Sequence, residues 1–236
     1  MTMPDIPPRF SRTALLLGED TAVQLTNKKV LIVGVGGVGG HAAENIVRAG
    51  IGNVTLVDGD LVDISNCNRQ IIVLSSTVGI AKAEVLASRC REINPDGTFT
   101  AINRFLKSPE DIAALLECGF DYVVDAIDDV PVKIELIRQL KQRNLPFISS
   151  MGAGGKIDPS LIQQADLSKT HGCPLARVMR NRLKPYRLKH IPVIFSPEIP
   201  ARSFENKKIG SISYIPAIFG CFCAAAAIKS LTSMKS

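Results

Sequence analysis

Gly34-Val35-Gly36-Gly37-Val38-Gly39 constrains this chain more than any other stretch. It follows residues 29–34 (KVLIVG), a short continuous apolar run, and opens a helical pattern over 38–49 that Gly50 closes. An uninterrupted β-branched run reads as a strand of a parallel sheet covered on both faces, and a terminal Gly as a helix C-cap. Between strand and helix, the glycines let the backbone turn tightly and approach a phosphate. The helix N-terminus adds N–H groups and a positive dipole. Asp58, 19 residues after Gly39, ends the next predicted strand. A carboxylate there can accept hydrogen bonds from ribose hydroxyls. The bland alternative is a Gly-rich turn that only packs helix on strand.

The alternation continues. Strands are predicted over 54–57, 99–105, 122–127 and 147–150, and helices over 78–93, 109–118 and 132–143. This pattern predicts an α/β fold with a doubly wound, Rossmann-like, mostly parallel sheet. At 236 residues, 46% of them hydrophobic, the chain can bury one sizeable core. A single domain over 1–236 is expected, with a nucleotide-binding part at about 9–155 and a basic substrate-binding lobe at about 156–236. In that lobe a basic helix is predicted over 175–183, further strands over 193–195 and 212–214, and a C-terminal apolar helix over 216–231. The uncharged stretch 212–228 approaches membrane-spanning length, but Pro216 and Gly220 interrupt it, so cover for a sheet face is the preferred reading. The first residues show no apolar signal segment, and the six cysteines form no C-x-x-C pair. A cytoplasmic chain with reduced thiols is expected, without a zinc ribbon.

The glycines and Asp58 alone would suit a nicotinamide-dependent oxidoreductase. The residues that follow argue for a triphosphate instead. Asn66 and Arg69 come soon after Asp58, and Lys82 lies thirteen residues beyond Arg69. A dinucleotide needs little cationic help beyond the helix N-terminus. A triphosphate attacked at its α-phosphorus needs more, and Arg69, Lys82 and a neutral donor at Asn66 can supply it. Asp128, at the carboxyl end of the fourth predicted strand, is the natural Mg²⁺ ligand. Asp128 and Asp129 could also cap the next helix ahead of Pro131, one capping while the other binds metal.

Charge divides the chain. Residues 1–130 hold 11 Lys+Arg and 17 Asp+Glu, whereas 131–236 hold 17 and 5. Between 169 and 189 lie Lys169, Arg177, Arg180, Arg182, Lys184, Arg187 and Lys189, with no acid. This asymmetry suggests a polyanion for the second half, or a solvated basic helix face.

Taken together, Arg9-Phe10-Ser11-Arg12, the glycine turn, LVDGDLVDISNCNRQ, VGIAK and VVDAIDD resemble the ThiF/MoeB-type, ubiquitin-activating-like adenylating superfamily over about 9–155, in unbroken order. The resemblance implies ATP as cofactor, with Asp58 on the ribose, Asn66, Arg69 and Lys82 on the triphosphate, and Asp128 on magnesium. It also implies a homodimer, in which Arg12 reaches the partner subunit's site. The second half lacks the paired C-x-x-C zinc motifs common in activators of sulfur-carrier proteins. Its GAGGK run (152–156), Pro174-Leu175-Ala176-Arg177 and 210–216 (GSISYIP) look instead like the tRNA threonylcarbamoyladenosine dehydratase branch. That branch implies a modified tRNA as partner; neither a DNA partner nor a membrane span is expected.

The expected chemistry is attack of a carboxylate on the α-phosphorus of ATP, followed by displacement of AMP by a nitrogen of the substrate itself. Cys173, beside His171 and many cations, is either a structural cysteine or, should a covalent step intervene, the candidate nucleophile. His41 and His190 read as local hydrogen-bonding residues, and Cys221 and Cys223 as core. A monovalent cation and a sulfur-transfer protein are further candidate partners. Rival readings are activation of a carrier protein's C-terminus, a nicotinamide-dependent oxidoreductase and a nucleotide-sensing RNA-binding module.

Overall fold

A computed structural model describes residues 6–200 and 209–232. Seven strands form one sheet in the order β3-β2-β1-β4-β5-β7-β6. They are β1 (Lys29–Val33), β2 (Asn53–Val57), β3 (Thr98–Ile102), β4 (Tyr122–Asp125), β5 (Phe147–Ser150), β6 (Gln163–Asp166) and β7 (Pro192–Phe195). All neighbours run parallel except β6, which pairs antiparallel with β7 at one edge. The predicted doubly wound, mostly parallel sheet is therefore present. The chain leaves β1 toward β2 and β3 and later returns to β4 on the other side. That reversal of direction opens a crevice above the carboxyl ends of β1 and β4.

Burial explains the strand sequences. Val30, Leu31, Ile32 and Val33 of β1 are all at most 3% exposed, so both faces of the strand are covered. Each such side chain contributes about 1.5–3 kcal/mol of burial, an upper bound against a compact unfolded chain. Helices α1 (Ser11–Leu17) and α2 (Glu19–Asn27) precede the sheet. Helices α3 (Gly37–Arg48), α4 (Lys82–Ile93), α5 (Pro109–Leu116) and α6 (Val130–Gln142) connect its strands, and α7 (Pro174–Leu183) and α8 (Tyr214–Leu231) belong to the second half.

The C-terminal helix α8 is long and apolar enough, by length and composition, to cross a membrane. It packs instead on α3 and on the sheet, with Ile215, Phe219, Cys223 and Ala227 fully buried. Gly220 makes the approach possible, because a Cβ there would lie 2.6 Å from the Val38 carbonyl oxygen.

Several expected boundaries move. Residues 78–81 are not helical. Gly79 takes φ +83°, and the segment runs back alongside Val62, whose N–H donates to Ile80 O at 2.8 Å. Helix α4 therefore starts at Lys82. Residues 212–214 form no strand, since β6 already occupies the sheet edge next to β7 and Tyr214 opens α8. Strand β3 stops at Ile102 and β4 at Asp125, so Asp128 sits three residues past its strand, in a turn.

Candidate nucleotide site

The glycine turn is shaped by contacts that no side chain could share. Gly34 adopts φ +84°, and a Cβ on it would lie 2.6 Å from the Ala126 carbonyl oxygen. On Gly39, a Cβ would lie 1.8 Å from the Gly34 carbonyl oxygen. The turn thus presses directly on the β4–α6 turn and on its own helix. Gly36 caps α3 and Gly37 is its first residue, and both line the crevice, which places the helix N-terminus, with its intrahelically unpaired N–H groups, at the crevice.

A cleft of about 1280 Å³ opens here, bordered by the glycine turn, Asp58, Asn66, Arg69, Lys82 and Asp128. Asp58 accepts from Val35 N–H at 2.8 Å and from Asp60 N–H at 2.8 Å, which fixes its carboxylate at the end of β2. Arg69 donates to Asn66 Oδ1 at 2.7 Å and to Asn68 Oδ1 at 3.0 Å. Those contacts hold the guanidinium at the cleft without neutralising it. Lys82, at the start of α4, is buried and donates to Asp60 Oδ2 at 2.7 Å. Asp63 caps the short helical turn that carries Asn66. Hydrogen bonds from Ser65 hold its carboxyl below the usual range.

Asp128 is exposed at the cleft, and Asp129 caps α6 by accepting from Val132 N–H at 3.0 Å. One acid therefore caps while the other is free to face a ligand. No group of three or more His, Cys, Asp or Glu could hold a metal among the described residues. One free carboxylate would suit Mg²⁺ at a cleft that held phosphates, since Mg²⁺ keeps waters and takes other oxygens from phosphates.

Other candidates lie elsewhere. Arg12 is exposed on α1. The Cys173 thiol is 2% exposed, ahead of α7, and its sulfur lies 3.7 Å from where a Gly152 Cβ would be. His171 is exposed and its ring packs edge-on against Phe195. His41 Nδ1 pairs with Gly37 O at 2.7 Å within the first turn of α3, a local contact as expected. Cys221, however, is exposed, while Cys223 is buried as expected and its thiol is pushed up to about 12 by burial.

In the basic run, Arg177, Arg182, Lys184, Arg187 and Lys189 are exposed. Arg180 is not available in the same way, because its guanidinium donates to both the carbonyl and the hydroxyl of Thr170. A second cleft, of about 410 Å³, is lined by Arg180, Lys184, Arg187 and Lys189 together with Leu183 and Ile191.

Sequence reasoning missed several residues of the site. Asp60 partners Lys82, and nothing in its spacing marks it out. Phe105, half exposed, closes the cleft beside Gly59. Gln70 is buried under Gly36, and its Oε1 has no hydrogen-bond partner among the described residues. Asp125 and Lys133 lie beneath the β4–α6 turn.

Fold and cleft together define an α/β protein of the nucleotide-binding kind, whose cleft carries both cations, Arg69 and Lys82, and acids, Asp58 and Asp128. The chain belongs to the ThiF family, whose profile matches residues 10–236. It is 42% identical over 206 residues to the tRNA threonylcarbamoyladenosine dehydratase of Bacillus subtilis, covering 86% of this chain and 81% of that protein. The Haemophilus influenzae protein of the same description is 36% identical over 248 residues, covering 97% and 95%. The structure of the Escherichia coli tRNA N6-threonylcarbamoyladenosine dehydratase in complex with ATP superposes with a TM-score of 0.91 at 38% identity, covering 97% of each chain.

Proposed function

We propose that this chain is an ATP-dependent tRNA threonylcarbamoyladenosine dehydratase. The observation that carries the reading is the convergence of Asp58, Asn66, Arg69 and Lys82 on the mouth of the glycine turn, in a chain similar along almost its whole length to enzymes of that description. The substrate's threonyl carboxylate attacks the α-phosphorus of ATP, giving an acyl-adenylate and pyrophosphate. A nitrogen of the same substrate's carbamoyl group then attacks the acyl carbon. The carboxylate oxygen leaves with AMP, the nitrogen loses its proton, and a ring closes. Carboxylate is unreactive because oxide is a poor leaving group, whereas AMP leaves readily.

The protein's part is positioning and neutralisation. The α3 N–H groups and Gly34, Gly36, Gly37 and Gly39 cradle phosphate, and Asp58 takes the ribose. Asn66, Arg69 and Lys82 hold the triphosphate and meet the negative charge that builds at the α-phosphorus. We assign Asp128 to Mg²⁺, which supplies further charge neutralisation when bound. Ring closure within one substrate needs no enzyme-bound intermediate, so we give the buried Cys173 a packing role.

Arg12 we assign to the partner's site in a homodimer. It shares one face of α1 with Leu15 and Leu16, at i+3 and i+4. Those leucines are 82% and 81% exposed, an apolar face that water disfavours and a second subunit would cover.

Leu175, at the start of α7, lines the cleft, and the helix runs ten residues, about 15 Å, to the basic turn at 184–189. RNA with its modified adenosine in the cleft would lay its backbone along Arg177, Arg182, Lys184, Arg187 and Lys189. A cytoplasmic location follows from that substrate. The deciding test is incubation of purified protein, ATP and tRNA carrying threonylcarbamoyladenosine, followed by mass analysis of the nucleosides. Loss of one water from the modified adenosine supports the reading. Pyrophosphate exchange stimulated by a carrier protein and not by this tRNA overturns it in favour of carrier activation.

A further inference from the structure

Lys133 and Asp125 form an ion pair with no exposed side-chain surface, Nζ to Oδ1 at 3.0 Å. Stability is a poor reason for such a pair, because desolvation cancels most of its attraction and an apolar pair of similar volume serves as well. Its other bonds are more informative. Asp125 Oδ1 accepts from Ile127 N–H at 3.2 Å, and Lys133 Nζ donates to Ile127 O at 3.0 Å. The same pair therefore grips both polar groups of one residue, the one immediately before Asp128. Ser149 on β5 donates to the other carboxylate oxygen at 2.6 Å and ties the unit to the sheet. On its outer side, the turn abuts Gly34 through the Ala126 carbonyl.

We infer that Lys133 and Asp125 are positioning residues: they clamp Ile127 so that the Asp128 carboxylate is held at a fixed place relative to the glycine turn. The clamp touches neither nucleotide nor metal. It would act by holding the Asp128 carboxylate where it could help bind Mg²⁺ beside a phosphate on the turn. This rests on the ATP–Mg²⁺ reading above.

The test compares the wild type with Asp125→Asn/Lys133→Met, which removes both charges together and leaves neither unpaired. ATP affinity is measured by calorimetry with and without Mg²⁺, alongside thermal unfolding. The double variant is expected to fold and to bind metal-free ATP within about threefold of wild type. Its half-saturating Mg²⁺ for ATP binding should rise by about tenfold, since losing the groups that orient a metal ligand typically costs about 10–100-fold in metal affinity. Ser149→Ala, which only loosens Asp125, is the second variant, and should raise half-saturating Mg²⁺ by a smaller factor, about threefold. It decides the matter if the double variant does not fold. Unchanged Mg²⁺ dependence in the folded variants overturns the clamp and leaves the proposed function standing. A wild-type protein that binds no ATP overturns both.

Discussion

Lys82 Nζ lies 2.7 Å from Asp60 Oδ2, with the lysine buried and the aspartate half exposed. The Asp60 carbonyl also accepts from Lys82 N–H at 3.0 Å, so main chain and side chain of the two residues are locked together at the start of α4. Both residues line the cleft, and on the proposed function Asp60 would shield the ammonium until a phosphate arrives. Lys82→Ala is therefore expected to lower ATP–pyrophosphate exchange by about 10²-fold. Asp60→Asn keeps the packing and removes the competing charge, and should tighten ATP binding by severalfold at low salt, within about 1 kcal/mol as expected for a half-exposed pair. Calorimetric titration with ATP separates the two effects. Weaker ATP binding in Asp60→Asn would count against shielding.

Arg69 and Asn66 offer a graded pair. Arg69→Ala removes a full charge from the cleft and should reduce exchange by about 10²–10³-fold. Asn66→Ala removes a neutral donor and one anchor of the guanidinium, and a loss of about tenfold is expected. An Arg69→Ala protein exchanging at the wild-type rate would remove Arg69 from the triphosphate site.

Gly39→Ala tests the glycine turn by packing alone. Its Cβ would lie 1.8 Å from the Gly34 carbonyl oxygen, so turn and helix must separate. The expected cost is about 1–3 kcal/mol or more of stability, with loss of nucleotide binding. Chemical denaturation with and without ATP reads both. Gly119→Ala is a useful contrast. Gly119 also has a positive φ (+71°), but nothing lies within 4 Å of its Cβ position, so only backbone strain of about 1 kcal/mol applies and ATP binding should persist.

Glu44 on α3 predicts a pH dependence. Burial pushes its carboxyl up, but hydrogen bonds from Arg89 on α4 and Arg48 outweigh this and set it below the ordinary 4.5. A depressed carboxyl contributes stability that is fully present above the unfolded value and is lost as pH falls through the folded one. Glu44→Gln should cost about 1–3 kcal/mol at pH 7. The gap between variant and wild type should narrow as pH drops below about 4.5. Urea unfolding across pH 3–7 measures it, and a constant gap would sink the assignment.

Reversing charge at Lys184, Arg187 and Lys189 should weaken tRNA binding and flatten its salt dependence, by roughly 0.7–0.9 in log–log slope for each phosphate no longer neutralised. ATP binding should not change, because none of the three borders the nucleotide cleft. Filter binding at several salt concentrations checks the first point, and calorimetry the second.

The nucleotide half was legible because its signals are local. A buried parallel strand must be continuously apolar, and a phosphate turn must be glycine, so 29–39 announces itself. Residues 163–166 (QQAD) carry no such signal. As an antiparallel edge strand, β6 exposes both glutamines and needs no apolar alternation. Helices α1 and α2 are poorly legible because few of their residues are buried, namely Ala14, Ala22 and Leu25. The predicted helix start at Val78 failed because periodicity cannot see Ile80 pairing with Val62 across the intervening loop.

Residue type and short-range spacing were thus enough to set the sheet's character, the glycine turn and the cations that converge on it. Which acid meets which base was settled only on folding. Asp60 faces Lys82 across 22 residues, Arg180 is bound to Thr170, and Lys133 grips the turn before Asp128. A charged side chain takes whichever partner the packed backbone brings within about 3 Å, and that choice is made only when distant segments close around it.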